Sequence, residues 1–468
     1  MPSALLVLSL GCGIAAWVVE GAVPTAGPAV GGDRLVTPVV SVRRIPTVVA
    51  EPIADRRLRG DLEAWAATAP AGSCAVVRDT EGGEVLDHRG DAPMVPASTL
   101  KLLTATAVLE QLGPDHRFRT VAVGPPPVGG VVPGDLVLVG GGDPILASPA
   151  YAGRFERQPQ IFTNLETLAA DLAAAGIRQV AGSVVGDESR YDGERYVAGW
   201  PARYLSQQVV GPLSGLSVND GFVDHPTATE PRPLVPAPDP AVQAAGVLTG
   251  LLEARGIDVV GDPRSGGAAP GSPELAAIES EPVAQVLAQL LLESDNSTAE
   301  LLVKELGRDA LDPTTPGGLA RVRALLDEAG VDLTGAVLAD GSGLSLENRV
   351  TCDQLMAALT LPDSGALVRT LLPVAGSSGT LTKAFLDTPL EGQLAAKTGS
   401  LNTVAALAGV VEDDDGPMTF AYLVNVPEGE SIDLAVVAAS QQALGEVLLS
   451  WPRVPDVDVL GPRSAEPR

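Results

Sequence analysis

The feature that most limits the fold is the position of the strand-like segments, which lie near both ends of the 468-residue chain. Cys74–Asp79 and Glu84–His88 flank Gly82-Gly83, a pattern that predicts a β-hairpin. Three further strand-like runs lie near the C-terminus: Gln393–Lys397, Thr403–Val411 and Met418–Val426. A hairpin at one end and three strands at the other predict one sheet, interrupted by an insertion of about 160 residues.

The region from about 119 to 282 has a different composition from the rest of the chain. Clusters of Pro and Gly separate short β-like runs such as Asp135–Val139 and Gln179–Val185, and a helical segment covers Leu165–Ala175. We therefore expect a β-rich insertion here.

Apolar residues at three- and four-residue steps predict helices on both sides of the insertion. Ser280, followed by Pro282, has the pattern of a helix start, with Ser280 as the N-cap. The predicted helices are Arg56–Ala67, Leu102–Leu112, Val283–Leu292, Thr298–Leu306, Gly318–Ala329 and Ile432–Leu449. Together with the strands they predict an α/β fold, an antiparallel sheet with helices on both sides.

The N-terminal segment predicts export. Ala4–Val19 is almost wholly apolar, which fits the apolar region of a signal peptide and is short for a membrane span of about 20 residues. No basic residue precedes Arg34, so an uncleaved membrane anchor is the alternative for residues 1–22. Residues 23–54 are rich in Pro and Gly and predict a linker, and residues 456–468 form a tail.

Charge and cysteine content limit the partners and cofactors. The chain has 58 acidic and 31 basic side chains, a net charge of −27, and phosphate backbones select basic surfaces, so we expect no nucleic acid partner. Three Cys and three His residues show neither zinc spacing nor an HExxH motif, so we expect no metal and no cofactor. Cys74 and Cys352 could pair in an oxidising compartment, but no spacing argument favours this, and two buried thiols are the prediction.

The first candidate site is Ser98-Thr99-Leu100-Lys101, directly before the predicted helix Leu102–Leu112. A spacing of three places Ser98 and Lys101 on one face of one helical turn. Ser is a poor nucleophile unless a base takes its proton, and a Lys can do this where burial and positive neighbours lower its pKa. The alternative is a capped helix with a solvated lysine.

Two further motifs carry polar residues suited to a peptide substrate. Ser294-Asp295-Asn296 lies between two predicted helices, where its side chains could instead serve only as caps. Lys397-Thr398-Gly399-Ser400 ends a strand-like run, where a Lys-Thr pair suits a carboxylate and Gly lets a ligand approach the backbone. A solvated strand end is the alternative. Each motif is weak alone, but the three in this order indicate a serine active site.

The combination of S-x-x-K, S-D-N and K-T-G resembles the motif set of the penicillin-binding proteins and class A β-lactamases. The finer resemblance is to the low-molecular-mass class C penicillin-binding proteins, the D-alanyl-D-alanine carboxypeptidases/endopeptidases of the DacB type (peptidase family S13). Lys101 and Ser294 are 193 positions apart, whereas this gap is several-fold shorter in class A β-lactamases. The stretches that look like the family are Gly140–Pro144, Gly186-Asp187, Gly215–Asn219, Asp340–Ser345 and Ala375–Leu381.

The resemblance covers roughly residues 55 to 450. It implies a serine β-lactamase/transpeptidase-like fold with a large β-rich insertion. Residues 55–118 and 283–455 would form the transpeptidase-like domain, and residues 119–282 would be the insertion.

The resemblance also implies a reaction, which is cleavage of the terminal D-Ala–D-Ala bond of peptidoglycan stem peptides, with cross-bridge endopeptidase action as an extension. Ser98 would form the acyl-enzyme, with Lys101 as general base and Ser294 as proton relay. The backbone N–H groups of Ser98 and Ser400 would form the oxyanion hole. The substrate-binding residues would be Asn296, Lys397, Thr398 and Gly399.

Under the same resemblance, β-lactam antibiotics would inhibit the protein by acylating Ser98 as substrate mimics. Two alternatives are a β-lactamase of the same fold, which would need fast deacylation, and a non-catalytic cell-wall-binding protein on this scaffold. The three intact motifs argue against the second.

Overall fold

The computed structural model describes residues 46–225, 233–413 and 416–451. The predicted leader, residues 1–22, and the predicted tail, residues 456–468, lie outside these ranges. Within them, none of the helices combines the length and the apolar character that crossing a membrane requires.

The described ranges contain seventeen β-strands and twelve α-helices. The strands are β1 (Ser73–Arg78), β2 (Glu84–His88), β3 (Arg119–Val123), β4 (Val131–Val132), β5 (Leu136–Val139), β6 (Leu146–Ala147), β7 (Thr163–Asn164), β8 (Gln179–Val180), β9 (Val184–Asp187), β10 (Phe222–Asp224), β11 (Val235–Pro236), β12 (Asp258–Val259), β13 (Arg264–Ser265), β14 (Glu274–Glu279), β15 (Leu394–Leu401), β16 (Val404–Asp413) and β17 (Gly416–Asn425). The helices are α1 (Pro46–Ala66), α2 (Lys101–Leu112), α3 (Pro149–Ala152), α4 (Leu165–Ala174), α5 (Ala202–Ser206), α6 (Pro240–Glu253), α7 (Val283–Glu293), α8 (Asn296–Gly307), α9 (Thr315–Glu328), α10 (Cys352–Leu359), α11 (Ser364–Thr370) and α12 (Leu434–Leu449).

Strands from both ends of the chain form one five-stranded sheet, in the order β15-β16-β17-β1-β2. All neighbouring pairs are antiparallel. β1 pairs with β17 from Ser73 opposite Val424 to Arg78 opposite Thr419, which joins the N-terminal hairpin to the C-terminal strands. The predicted hairpin and the predicted sheet from both chain ends are therefore confirmed.

Alternate residues of this sheet face two separate apolar cores, because successive side chains of a strand point to opposite faces. On β17, Ala421 and Leu423 belong to the core that includes residues of α2, α7, α8, α9 and α10. Phe420 and Tyr422 belong to the core that includes residues of α1 and α12. There the ring of Trp65 packs edge-on against Tyr422, with 5.1 Å between ring centroids. Helices thus lie on both sides of the sheet, as the sequence predicts.

The segment between α2 and α7 has an apolar core of its own. It contains a five-stranded mixed sheet, β13-β9-β5-β3-β14, and three parallel strands, β12-β8-β4, with α4 and α6 packed on them. β3 and β14 are neighbours, with Arg119 opposite Glu279. The chain therefore enters and leaves this insertion side by side.

Five helices were not anticipated from the sequence, namely α3, α5, α6, α10 and α11. In addition, α1 begins ten residues before its predicted start, inside the predicted linker. α6 does have a start signal, because Asp239 accepts hydrogen bonds from Ala241 N and Val242 N and Pro240 is its first residue. The signal is obscured by the many prolines that precede it.

Ser280 is not the N-cap of α7, and this prediction is wrong. Pro282 occupies the N-cap position and provides no capping hydrogen bond. The hydroxyl of Ser280 instead accepts from Phe118 N (2.9 Å) and donates to Glu281 O (2.6 Å). It therefore ties together the two ends of the insertion.

Cys74 and Cys352 form a disulfide, so the prediction of two free buried thiols is wrong. Cys74 lies on β1, Cys352 is the first residue of α10, and both are fully buried. α10 packs against β1, which brings the two Cα atoms to 6.2 Å although they are 278 positions apart in sequence. A pairing produced by tertiary packing leaves no local sequence signal.

The double variant Cys74→Ala/Cys352→Ala should have a free energy of unfolding about 2–5 kcal/mol lower than the wild type, because the disulfide restricts the unfolded chain across a long loop. Urea unfolding followed by circular dichroism measures this difference. Adding reductant to the urea should lower the wild-type midpoint and leave that of the variant unchanged. Equal midpoints for the oxidised wild type and the variant would contradict the prediction.

Candidate active site

Ser98 lies in a 3₁₀ turn, Ala97–Leu100, that leads directly into α2. Ala97, just before it, has a left-handed backbone with φ of 48°. Ser98 is partly exposed to a cleft, whereas Lys101, the first residue of α2, is fully buried. Lys101 Nζ lies 3.1 Å from Ser98 Oγ. The alternative of a solvated lysine is therefore wrong.

The amine of Lys101 has three oxygen neighbours, which are Ser98 Oγ at 3.1 Å, Asn296 Oδ1 at 2.8 Å and the carbonyl oxygen of Ser342 at 2.7 Å. Burial lowers the pKa of Lys101 from 10.5 to about 8. A neutral amine has two N–H donors and one lone pair. It would donate to the two carbonyl oxygens and present its lone pair to the hydroxyl of Ser98, which is the geometry of a general base.

Ser294 ends α7 in a left-handed conformation, with φ of 60°. Asp295 then caps α8 by accepting a hydrogen bond from Thr298 N, so the capping interpretation holds for this one residue of the motif. Asn296 begins α8 and donates from Nδ2 to Val209 O (2.7 Å). That bond orients the amide so that its oxygen faces Lys101.

The third motif lies on β15 beside the turn that holds Ser98. Lys397 is fully buried, and its Nζ donates to Ser294 Oγ (2.9 Å) and to Thr398 O (2.8 Å). Burial, followed by the charges of Lys101 and Arg157, lowers the pKa of Lys397 well below its usual value. Thr398 Oγ1 donates to Thr380 Oγ1 (2.8 Å).

Gly399 allows β15 to pass close to the Ser98 turn. A Cβ atom at Gly399 would lie 2.8 Å from Pro96 O. Ser98, Ser294, Asn296 and Ser400 line the same cleft. The structure therefore brings all three sequence motifs to one place.

The cleft has a volume of about 530 Å³, and much of its wall comes from the insertion. Sequence reasoning did not single out these lining residues, and no motif marks them: Tyr151, Arg154, Arg157, Val209 and Asp220. It also missed Glu300 and Ser342 beneath Lys101, although Ser342 lies in one of the stretches that resemble the family. In the described ranges, no group of three or more His, Cys, Asp or Glu residues could hold a metal ion.

Gly343→Ala should destabilise the protein more than Gly330→Ala. Gly343 has φ of 86°, and a Cβ there would lie 1.9 Å from Ala97 O, in the turn that holds Ser98. Gly330 has φ of 94°, but no atom lies within 4 Å of its Cβ position. The loss of stability in Gly330→Ala therefore measures the backbone strain alone, about 1–2 kcal/mol. Urea unfolding of both variants measures the difference, and equal losses of stability would contradict the steric argument.

Comparison with known proteins supports the resemblance given by the motifs. Residues 58–233 and 224–443 match the sequence model of the D-Ala-D-Ala carboxypeptidase 3 (S13) family. A carboxypeptidase of Mycobacterium tuberculosis is 34% identical over 74% of each chain. A D-alanyl-D-alanine carboxypeptidase of Actinomadura sp. (strain R39) is 31% identical over 89% of this chain and 91% of the relative.

The fold is also similar to that of a solved structure, penicillin binding protein 4 from Haemophilus influenzae. The TM-score is 0.67 at 21% identity, and the match covers 82% of this chain and 99% of the other. The α/β fold class predicted from the sequence is confirmed. Because this family model matches more than half of the chain and two relatives are more than 30% identical to it, the chain belongs to the D-Ala-D-Ala carboxypeptidase 3 (S13) family.

Proposed function

We propose that this protein is a serine D-Ala-D-Ala carboxypeptidase that acts on peptidoglycan stem peptides through an acyl-enzyme on Ser98. The observation that carries the proposal is the fully buried amine of Lys101, 3.1 Å from a partly exposed serine hydroxyl. Family membership supports the reaction class. Endopeptidase action on cross-bridges is the same chemistry on a longer leaving group.

In the acylation step, Ser98 Oγ attacks the carbonyl carbon of the penultimate D-Ala and passes its proton to the neutral amine of Lys101. The backbone N–H groups of Ser98 and Ser400 stabilise the negative oxygen of the tetrahedral intermediate. The C–N bond then breaks, and the nitrogen of the leaving D-Ala takes a proton through Ser294 Oγ. Water hydrolyses the ester and restores Ser98.

Lys397 would support this proton transfer. Its amine contacts Ser294 Oγ, and its low pKa fits a group that can exchange protons with that hydroxyl. Thr398 then provides the direct hydrogen bond to the substrate carboxylate. Its hydroxyl donates to Thr380 Oγ1 in the free protein and would turn to the carboxylate when substrate binds. Asn296 binds the substrate amide, and Gly399 leaves room beside the backbone.

We place the protein outside the cytoplasmic membrane, in the cell envelope. Peptidoglycan is found there, and the Cys74–Cys352 disulfide fits an oxidising compartment. Residues 1–22 would direct export, either as a cleaved leader or as an N-terminal membrane attachment.

Benzylpenicillin should add one penicilloyl group to the wild type, on the peptide that carries Ser98. The rate of this acylation should rise with pH through an ionisation near 8, because only the neutral amine of Lys101 can accept the proton of Ser98. Intact-mass and peptide mass spectrometry measure the adduct and its rate of formation.

Two variants test the assignment. Ser98→Ala should form no adduct, and Lys101→Met, which fills the buried site without a titrating group, should acylate at least about 100-fold more slowly. A full-yield adduct on Ser98→Ala would exclude Ser98 as the nucleophile. Sustained turnover of a chromogenic cephalosporin would instead favour a β-lactamase, and no adduct on the wild type would favour a non-catalytic protein.

Thr398→Val should lower kcat/KM for peptides with a free terminal carboxylate by about 10- to 150-fold, because a hydrogen bond to a charged group contributes about 1.5–3 kcal/mol. The same substitution should have a smaller effect on peptides whose terminal carboxylate is amidated. D-Ala release from the matched peptide pair measures both. Equal losses on the two peptides would show that Thr398 does not bind the carboxylate.

A further inference from the structure

The third oxygen neighbour of the Lys101 amine is the carbonyl oxygen of Ser342, in a buried loop that begins at Asp340. The N–H of the same peptide group belongs to Gly343 and donates to Asp340 Oδ1 (2.8 Å). A carboxylate at the N–H end of a peptide group polarises it and makes its carbonyl oxygen a stronger acceptor. This peptide group therefore couples Asp340 to Lys101.

Glu300 fixes the neighbouring part of the loop. It lies one turn after Asn296 on α8, so both side chains share a helix face, and it is fully buried. Its Oε1 accepts hydrogen bonds from Gly341 N (3.1 Å) and Ser342 N (2.8 Å), and its Oε2 also accepts from Gly341 N (3.1 Å). Among the ion pairs of the described ranges none includes Glu300, so no direct ion pair neutralises its charge.

Charged groups act on Lys101 from several elements. Burial has the largest effect on its pKa, and three carboxyl groups oppose that lowering: Glu300 on α8, Asp340 in the loop and Asp295 at the N-cap of α8. Lys397 on β15 is the positive neighbour. Burial and then the charge of Asp340 raise the pKa of Glu300 to about 7, so Glu300 is ionised at the pH where Lys101 titrates.

We propose that Glu300 is a positioning residue for the base of the reaction. It holds the Gly341–Ser342 backbone against Lys101, and its negative charge increases the proton affinity of the Lys101 amine. This rests on the proposed function, in which Lys101 takes the proton of Ser98. A buried amine without a nearby carboxylate would be a weak base for that proton. Burial lowers the pKa of Lys101, so that the neutral amine forms at a lower pH than for a free lysine, and the charge of Glu300 limits that lowering and keeps the amine basic enough to take the proton.

The test is the pH dependence of benzylpenicillin acylation in Glu300→Gln. The amide oxygen of Gln can occupy the Oε1 position and accept both backbone N–H groups, so only the second contact of Gly341 N, to Oε2, is lost when the charge is removed. Without the charge, the midpoint of the pH–rate profile should move to lower pH by about one unit. Glu300→Asp, which retains the charge, should leave the midpoint close to that of the wild type.

Glu305→Gln is the matched control. Glu305 lies on the same helix and is also buried, but it binds Arg190 and Tyr191 rather than the loop beneath Lys101. Its substitution should change stability and leave the midpoint of acylation unchanged. A midpoint that is the same in wild type and Glu300→Gln, even with a lower rate at every pH, would reduce Glu300 to a structural role and overturn the proposal.

A second measurement does not depend on acylation. The chain has four lysines, so ¹³Cε-labelled lysine gives a spectrum in which the Lys101 signal is assigned by its loss in Lys101→Met. NMR titration should show Lys101 losing its proton at lower pH in Glu300→Gln than in the wild type, and an unchanged titration would overturn the proposal. If the titration shifts but the wild type forms no penicilloyl adduct, the proposed function fails and the coupling stands.

Discussion

The burial of the Lys101 amine is the constraint on which the site depends. A buried amine must find polar partners, and those of Lys101 come from its own turn, from Asn296 on α8 and from the loop at Ser342. These three segments are far apart in sequence and meet only when the helices pack on the sheet. Lowering the pKa of Lys101 from 10.5 to about 8 corresponds to roughly 3 kcal/mol that the rest of the fold must supply.

The insertion takes part in meeting that constraint. Val209 O orients the amide of Asn296, and Trp200 Nε1 donates to Asp340 Oδ2 (2.9 Å) beneath the Lys101 loop. The insertion therefore contributes to the support of the base as well as to the wall of the cleft. Its entry and exit strands, β3 and β14, are paired, so a segment this large can be inserted without separating α2 from α7.

Local pattern was sufficient for the sheet and the three motifs. The strand-like runs on either side of Gly82-Gly83 predicted β1 and β2, and the spacing from Ser98 to Lys101 placed the nucleophile and its base on one turn. What depended on tertiary packing could not be predicted. The Cys74–Cys352 disulfide joins positions 278 apart, and Glu300 looks like an ordinary helical glutamate until the loop at Ser342 closes over it.

The shifted pKa values of Lys101 and Glu300 both lower the stability of the folded protein near neutral pH. The pKa of Glu300 is raised from 4.5 to about 7, so the unfolded chain releases this proton first and stability falls as pH rises through that window. The pKa of Lys101 is lowered from 10.5 to about 8, so its unfavourable contribution is fully present below pH 8 and is relieved as pH rises toward 10.5. Both contributions are therefore present together between about pH 7 and 8, the range in which Lys101 begins to act as a base while Glu300 is charged. These two groups therefore lower the stability of the folded protein most in the pH range in which the reaction needs them. Such a loss of stability is expected when catalysis requires buried charged groups.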